Sequence, residues 1–456
     1  MTEYTRELSK FLAEHRYEDM PAAAISRAKD VILDTVGCML YGRTTPAGIR
    51  IVDLVVDVCG GGGTATIIGD KRRASLTAAT LANGTFAHAD EFDDRNTESQ
   101  THASGAILGA ALAASESKAV SGKQLLRSFV LGHEAVSHVA WPVAPDAFQN
   151  GFHPAGQFST FGAAASAGIV RGLDATRMMY AMGLAVTQAS GSTEVAYTSD
   201  AKILHTGKGG MAGLWAALMA EKGFTGGSTA LEGGAHGVGY LEMITDKPRY
   251  QFILQGLGEE YKIVSRVGLK PYSCAGDMHP GIDAIRDAMR KHGLAPSDFT
   301  DIRVDSFSII PTHFDTPNPE TRIAALLSYQ HCIACQILFG EVTPKQFTDE
   351  YINDPEVARI RKLIHVHLDP EIDKRFPKIY SARLTITSTK GTFTEFNDTS
   401  RGTPENPMTR AEIEKKFMTL ATSSISAARA DRIASAIDKL DTLSNVDEFM
   451  TLLQGE

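Results

Sequence analysis

Apolar positions in the first half of the chain recur at helical spacing. Ile25, Ala28, Ile32, Val36 and Met39 lie three or four residues apart, which places them on one face of a helix. Pro21 stands where that helix can begin, since its missing N–H costs nothing in a first turn. Gly42 stands where a cap can end it. The same periodicity predicts helices over residues 75–86, 125–141, 155–170, 175–188 and 210–222, many of them rich in Ala and Gly. After about Val264 the pattern changes. Alternation predicts strands over 301–310, 363–368 and 382–387, and a Lys390-Gly391 turn leads into a partner strand over 392–396. Helical stretches lie between them at 281–291, 323–339 and 355–362. Helix returns at Thr409, where Thr-Arg-Ala-Glu is a capping-box pattern, and two more short helices run to Leu453. The predicted fold class is mainly α. A large helical domain over 1–265 is completed by 402–456, and a smaller α+β segment with an antiparallel sheet is inserted at 266–401.

A length of 456 residues allows two or three domains. With 45 Lys+Arg against 54 Asp+Glu the formal charge is -9, which argues against a nucleic-acid partner but leaves room for a locally basic pocket. No apolar run approaches the roughly 18 residues of a membrane helix. The first ten residues carry Glu3 and Glu7 and lack an apolar signal core, so neither membrane insertion nor export is expected. Five scattered cysteines are too few for a disulfide framework, and a cytoplasmic setting follows.

Four polar stretches are candidates for chemistry. His88, Asp90, Glu91, Asp93 and Asp94, with His102 shortly after, form the densest. Such a group can bind a metal, transfer protons or cap helices. Gly151-Phe152-His153-Pro154 precedes a helix and sets His153 near its N-terminus, a place that favours anions and a neutral imidazole. In Asp200-Ala201-Lys202-Ile203-Leu204-His205, Lys202 and His205 share a helical face; the glycines after them lead into a helix and offer an anion cradle, and Lys208 is read as solvated. Lys270-Pro271-Tyr272-Ser273-Cys274, followed by Asp277, His279 and Asp283, lies where the helical body gives way to the α+β segment, a usual place for a cleft. The Gly60–Gly63 run lacks the dinucleotide pattern and is read as joining a helix to a short strand at 66–68. Cys332 and Cys335 have zinc spacing but no second pair, and read as buried helical cysteines.

These stretches, in this order, resemble the MmgE/PrpD family of 2-methylcitrate dehydratase type. The resemblance is carried by Ala82-Asn83-Gly84 with His88 and Phe92-Asp93-Asp94, by Gly151-Phe152-His153-Pro154, and by Asp200-Ala201-Lys202 with Leu204-His205. Lys270-Pro271-Tyr272 with Cys274, His279 and Asp283, and Arg401-Gly402-Thr403-Pro404-Glu405-Asn406-Pro407, complete it. It implies a homodimer, a helical domain with an inserted α+β lid, and proton transfer next to a carboxylate without an iron–sulfur cluster. It also implies site roles for His102, His153, Lys202 and Lys270. Three positions and one short stretch depart from the family pattern. Glu91 replaces an Asp, Arg95 a Thr and Ala275 an Arg, and residues 312–314 read Thr-His-Phe where some members offer a tyrosine.

The expected activity is a cofactor-independent, metal-free lyase that eliminates water from a small di- or tricarboxylic acid. Decarboxylation or epimerisation of a related acid are the family alternatives. Lys202, Lys270 and Arg95 would clamp carboxylates, His102 or His153 would be the base, and Glu91 or Asp93 would orient a histidine or act as the acid. His88, Arg95, His205 and Cys274 are the expected substrate contacts. Two rivals stand outside this class: a metal enzyme using the Asp/His cluster, and a helical scaffold that has lost catalysis.

Overall fold

The computed structural model describes residues 3–59, 62–116 and 118–455. Gly60 and Gly61 of the glycine run lie outside these residues. Helices make up 58% of the chain, which makes the fold mainly α. The helices Leu76–His88, Ser104–Ser115, Pro154–Arg171 and Ala201–Glu221 pack against one another at the centre, and Arg410–Ala421 returns to lie on Ala22–Gly42. Their small residues are what permit this. A Cβ on Gly207 would lie 2.2 Å from the Leu81 carbonyl oxygen, and one on Gly213 would lie 2.3 Å from that of Thr160. The glycines after His205 therefore sit inside a helix and bring backbones together; they form no anion cradle. Gly42 has a similar duty. It is the last helical residue, not a left-handed cap, because a Cβ there would meet the Phe86 carbonyl oxygen at 2.0 Å.

Two apolar cores divide the chain. One gathers residues from Leu8 to Leu269 and from Met408 to Leu453. The other gathers residues from Tyr272 to Ile386 around a four-stranded sheet. The sheet order is Ile364–Leu368, Phe299–Ser306, Ala382–Ser388, Gly391–Asn397. Its first pair is parallel and the rest antiparallel, so the sheet is mixed, not antiparallel as its alternation implied. The helices Tyr329–Phe339 and Pro355–Arg361 supply the long crossover that a parallel pair requires. The strand expected over 301–310 stops at Ser306; Pro311, which has no N–H to give a ladder, opens the helical turn Ile310–Phe314 instead. The helix expected over 323–339 is broken before Tyr329, and Ser328 caps the second piece through the His331 N–H. No helix among the described residues is long and apolar enough to cross a membrane.

The short antiparallel pair Asp94–Asn96 and Val267–Leu269 lies at the border of the two cores. It brings the Glu91–Arg95 stretch beside Lys270, although 179 residues separate Glu91 from Lys270. Lys416, from the returning C-terminal helix, locks this juncture: its ammonium donates to the carbonyls of Phe92 and Lys270 and pairs with buried Asp34 at 2.7 Å.

Candidate active site

The centre of the site is a buried charge network. His88 ends the Leu76–His88 helix, and the chain then turns sharply. Glu91 holds φ +51° there, and Gln100 holds +54°; they are the only non-glycine residues of positive φ among the described residues. Such conformations cost of order 1 kcal/mol each and persist where surrounding contacts enforce them. The contact at Glu91 is electrostatic. Its two carboxylate oxygens face the Lys202 ammonium at 3.4 Å and the Lys270 ammonium at 3.1 Å, and His88 Nε2 lies 3.0 Å away. Asp93 receives His88 Nδ1 at 2.8 Å and Lys270 at 3.5 Å.

This arrangement fixes protonation states. Burial works against every charge here, but the pairing overrides it. Lys202, Lys270 and His88 hold the Glu91 carboxyl well below its usual range, and His88 and Lys270 do the same for Asp93. The two carboxylates raise His88 to about 9 against burial, so it is an imidazolium at neutral pH. Glu91 and Asp93 are thus carboxylates that orient His88, and neither has a proton to give a leaving group; the acid role expected of them drops out.

His88 also yields a prediction for stability. A histidine raised from 6.5 to about 9 on folding contributes fully below pH 6.5, and that contribution is lost as pH rises through 9. Urea unfolding at constant salt is expected to show stability falling from pH 6.5 to 9, by at most about 1.4 kcal/mol per pH unit. The fall should shrink in His88→Gln, and an equally steep fall in that variant would contradict the assignment.

His102 differs from His88. Its Nδ1 donates to the Asp94 carbonyl at 2.7 Å, which leaves Nε2 as an unprotonated acceptor with no hydrogen bond to any described residue. Burial and the nearby Lys270 ammonium lower it to about 3, so it is neutral. His153 occupies the N-cap of Pro154–Arg171, and its Nδ1 meets the Nδ1 of His205 at 2.8 Å. Burial and Lys202 push His153 down, and burial takes His205 to about 4, so both rings are neutral and one proton joins the two nitrogens.

A cavity of about 60 Å³ lies against this network. Of the ten residues singled out from sequence, Glu91, Arg95, His102, His153 and Lys202 line it. The other five do not. His88 and Asp93 lie behind Glu91, fully buried. Lys270 is spent on Glu91 and Asp93, so the clamp expected of it is not free to form. His205 backs His153. Cys274 points into the second apolar core, so it cannot serve as a substrate contact. The cavity also takes Tyr197 and Tyr380, which no sequence signal marked, and Asp277, which stood in a candidate stretch without a role of its own. Tyr197 stacks its ring near the Lys202 ammonium, and the Arg95 guanidinium lies 4.2 Å from the Tyr380 ring centre while donating to the Gly276 carbonyl. Arg95, Thr97, Gln100 and Tyr380 form the wall between this cavity and an open groove of about 890 Å³.

The remaining polar residues of the sequence cluster are structural. Asp90 pairs with Arg322, and Asp94 accepts the Ala103 and Ser104 N–H groups that open the Ser104–Ser115 helix. Lys208 is not solvated as expected; it donates to the Gln188 carbonyl and Ser190. Cys332 and Cys335 are buried in a helix. His88, Asp93 and His102 do place one ligating atom each within 4.8 Å of one another. Both nitrogens of His88 already face carboxylates, however, and the Lys270 ammonium 3.5 Å from Asp93 would repel a cation.

Comparison with known proteins gives the chain a family. The family model described as MmgE/PrpD N-terminal domain matches residues 6–253, and that described as MmgE/PrpD C-terminal domain matches residues 272–442. A cis-aconitate decarboxylase-like protein of Aspergillus oryzae is 27% identical over 99% of this chain and 97% of its own length. The cis-aconitate decarboxylase of Aspergillus terreus is 26% identical over 98% and 95%. The human enzyme of that name is 27% identical over 94% and 90%. The chain belongs to the MmgE/PrpD family.

Proposed function

We propose that this protein is a lyase that removes a proton next to a carboxylate of a small di- or tricarboxylic acid and expels a neighbouring hydroxyl as water, with no resident metal or cofactor. The observation that carries the reading is neutral His102, whose unshared Nε2 lies in one cavity with the Lys202 ammonium and the Arg95 guanidinium. A proton beside a carboxylate is weakly acidic, and its removal needs a placed base and cations for the enediolate charge that develops. His102 Nε2 takes the proton. A base near pH 3 is weak in the empty site, but a bound polyanion raises it toward the useful range. Lys202 and Arg95 hold the substrate carboxylates and the developing charge. The His102 imidazolium then gives that proton to the departing hydroxyl, and neutral His153, whose Nδ1 faces His205 Nδ1, can donate a hydrogen bond from Nε2 to the leaving oxygen. The balance is one proton carried from carbon to oxygen through His102, and one water released.

The cavity adjoins the open groove across Arg95, Thr97, Gln100 and Tyr380, which gives a carboxylic acid its way in.

Decarboxylation is the second reading, favoured by the names of relatives that match along nearly the whole chain. The two separate in one assay. Chelator-treated protein is offered 2-methylcitrate and citrate, with the unsaturated product followed by ultraviolet absorbance, and cis-aconitate, with carbon dioxide followed. Absorbance growth with a hydroxy acid supports elimination. Carbon dioxide from cis-aconitate alone establishes the second reading, and activity only after a divalent metal is added contradicts both.

A further inference from the structure

We infer that Asp277 selects substrates carrying a hydrogen-bond donor, a hydroxyl or an ammonium, beside their carboxylates. This rests on the proposed reading of the cavity as a carboxylic-acid site. Asp277 lies in the short turn Gly276–Met278 and lines the cavity opposite the helical body. Among the described residues it is the only charged group that the second, sheet-containing core contributes to that lining.

Its isolation is what needs explaining. The other carboxylates of the site are saturated: Glu91 has two ammoniums and an imidazolium, and Asp93 has His88 and Lys270. Asp277 has no hydrogen bond or ion pair to any described residue, although it is not exposed. Arg95, which reaches the neighbouring Gly276, gives its guanidinium to that carbonyl and to the Tyr380 ring. Tyr197 and Tyr380 border the same space, and the Asp277 charge bears on both. Its carboxylate is partly buried, borders aromatic rings and has no partner among the described residues, so a donor on a ligand in the cavity meets a free acceptor. In a site otherwise built for anions it repels a third carboxylate and rewards a donor. An acid with carboxylates alone, such as cis-aconitate, would meet that repulsion. A hydroxy or amino acid of the same skeleton would not.

Matched ligands test this. Succinate, malate and aspartate differ only by H, OH or NH3+ at one carbon, and tricarballylate and citrate only by H or OH. Calorimetric titration of the full, chelator-treated chain should find a donor-bearing acid bound about tenfold or more tighter than its donor-free match. Asp277→Asn and Asp277→Ala should each cut that ratio to about twofold or less. Both variants should melt no lower than wild type, because no protein contact is lost. Malate above aspartate assigns a hydroxyl, and aspartate above malate an ammonium. Equal binding of matched acids, or a ratio unchanged in both variants, overturns the inference while leaving the lyase reading intact. Failure of wild type to bind any of the five acids overturns that reading and the inference with it.

Discussion

Lys270→Ala is expected to lower stability by about 3–5 kcal/mol and to abolish turnover. Lys270 is 1% exposed and lies between Glu91, also 1% exposed, and Asp93, fully buried. Its removal leaves two buried carboxylates facing only Lys202 and His88. Uncompensated charge in the interior is far more costly than the pair was favourable. The loss also reaches function, because Glu91 and Asp93 orient the network on which the cavity rests. Urea unfolding measures the first effect. A companion variant, Lys270→Met with Glu91→Gln, removes one ammonium and one carboxylate together, and should recover part of the stability without recovering activity. A loss under about 1 kcal/mol in Lys270→Ala would show that the network is not held as described.

His102→Ala is expected to do the opposite: leave the fold and erase the chemistry. The ring makes one hydrogen bond, to the Asp94 carbonyl, and its other nitrogen faces the cavity. Loss of a general base lowers kcat by about 10²- to 10⁴-fold. The pH profile offers a second readout. With His102 lowered to about 3 in the free protein, kcat/KM should stay level from pH 7 down to 5 once substrate ionisation is corrected. An unperturbed histidine would already be losing activity there. A fall centred near pH 6.5, or near-normal turnover in His102→Ala with an intact circular dichroism spectrum, would remove His102 from the mechanism.

The helices were legible because their signals are local. The Thr409 and Glu412 side chains form the capping box that their spacing implies, and Lys390-Gly391 turns between its two strands. The parallel pairing of Phe299–Ser306 with Ile364–Leu368 was not legible, since nothing in either strand specifies a partner reached through a long crossover. The site divides the same way. Residue types and spacing picked out separate stretches holding His88, Glu91, Asp93, His102, His153, Lys202 and Lys270, and only the family resemblance implied that they share one site. They did not say which would face substrate. Lys202 and His205 share a helical face, yet Lys202 lines the cavity while His205 backs His153. Lys270 looked like a clamp and is a counterion to two carboxylates. Asp277 stood in a stretch already singled out, but its want of a partner is a property of three dimensions.

The central claim is metal-free removal of a proton beside a carboxylate by a neutral histidine in this cavity. Proton NMR of chelator-treated protein in deuterated water, with hydroxy di- and tricarboxylates in turn, tests it most directly. The account predicts loss of a carbon-bound proton signal adjacent to a carboxylate, by exchange or by elimination, in wild type and not in His102→Ala. Persistence of that signal for every acid in wild type, or its equal loss in His102→Ala, would contradict it.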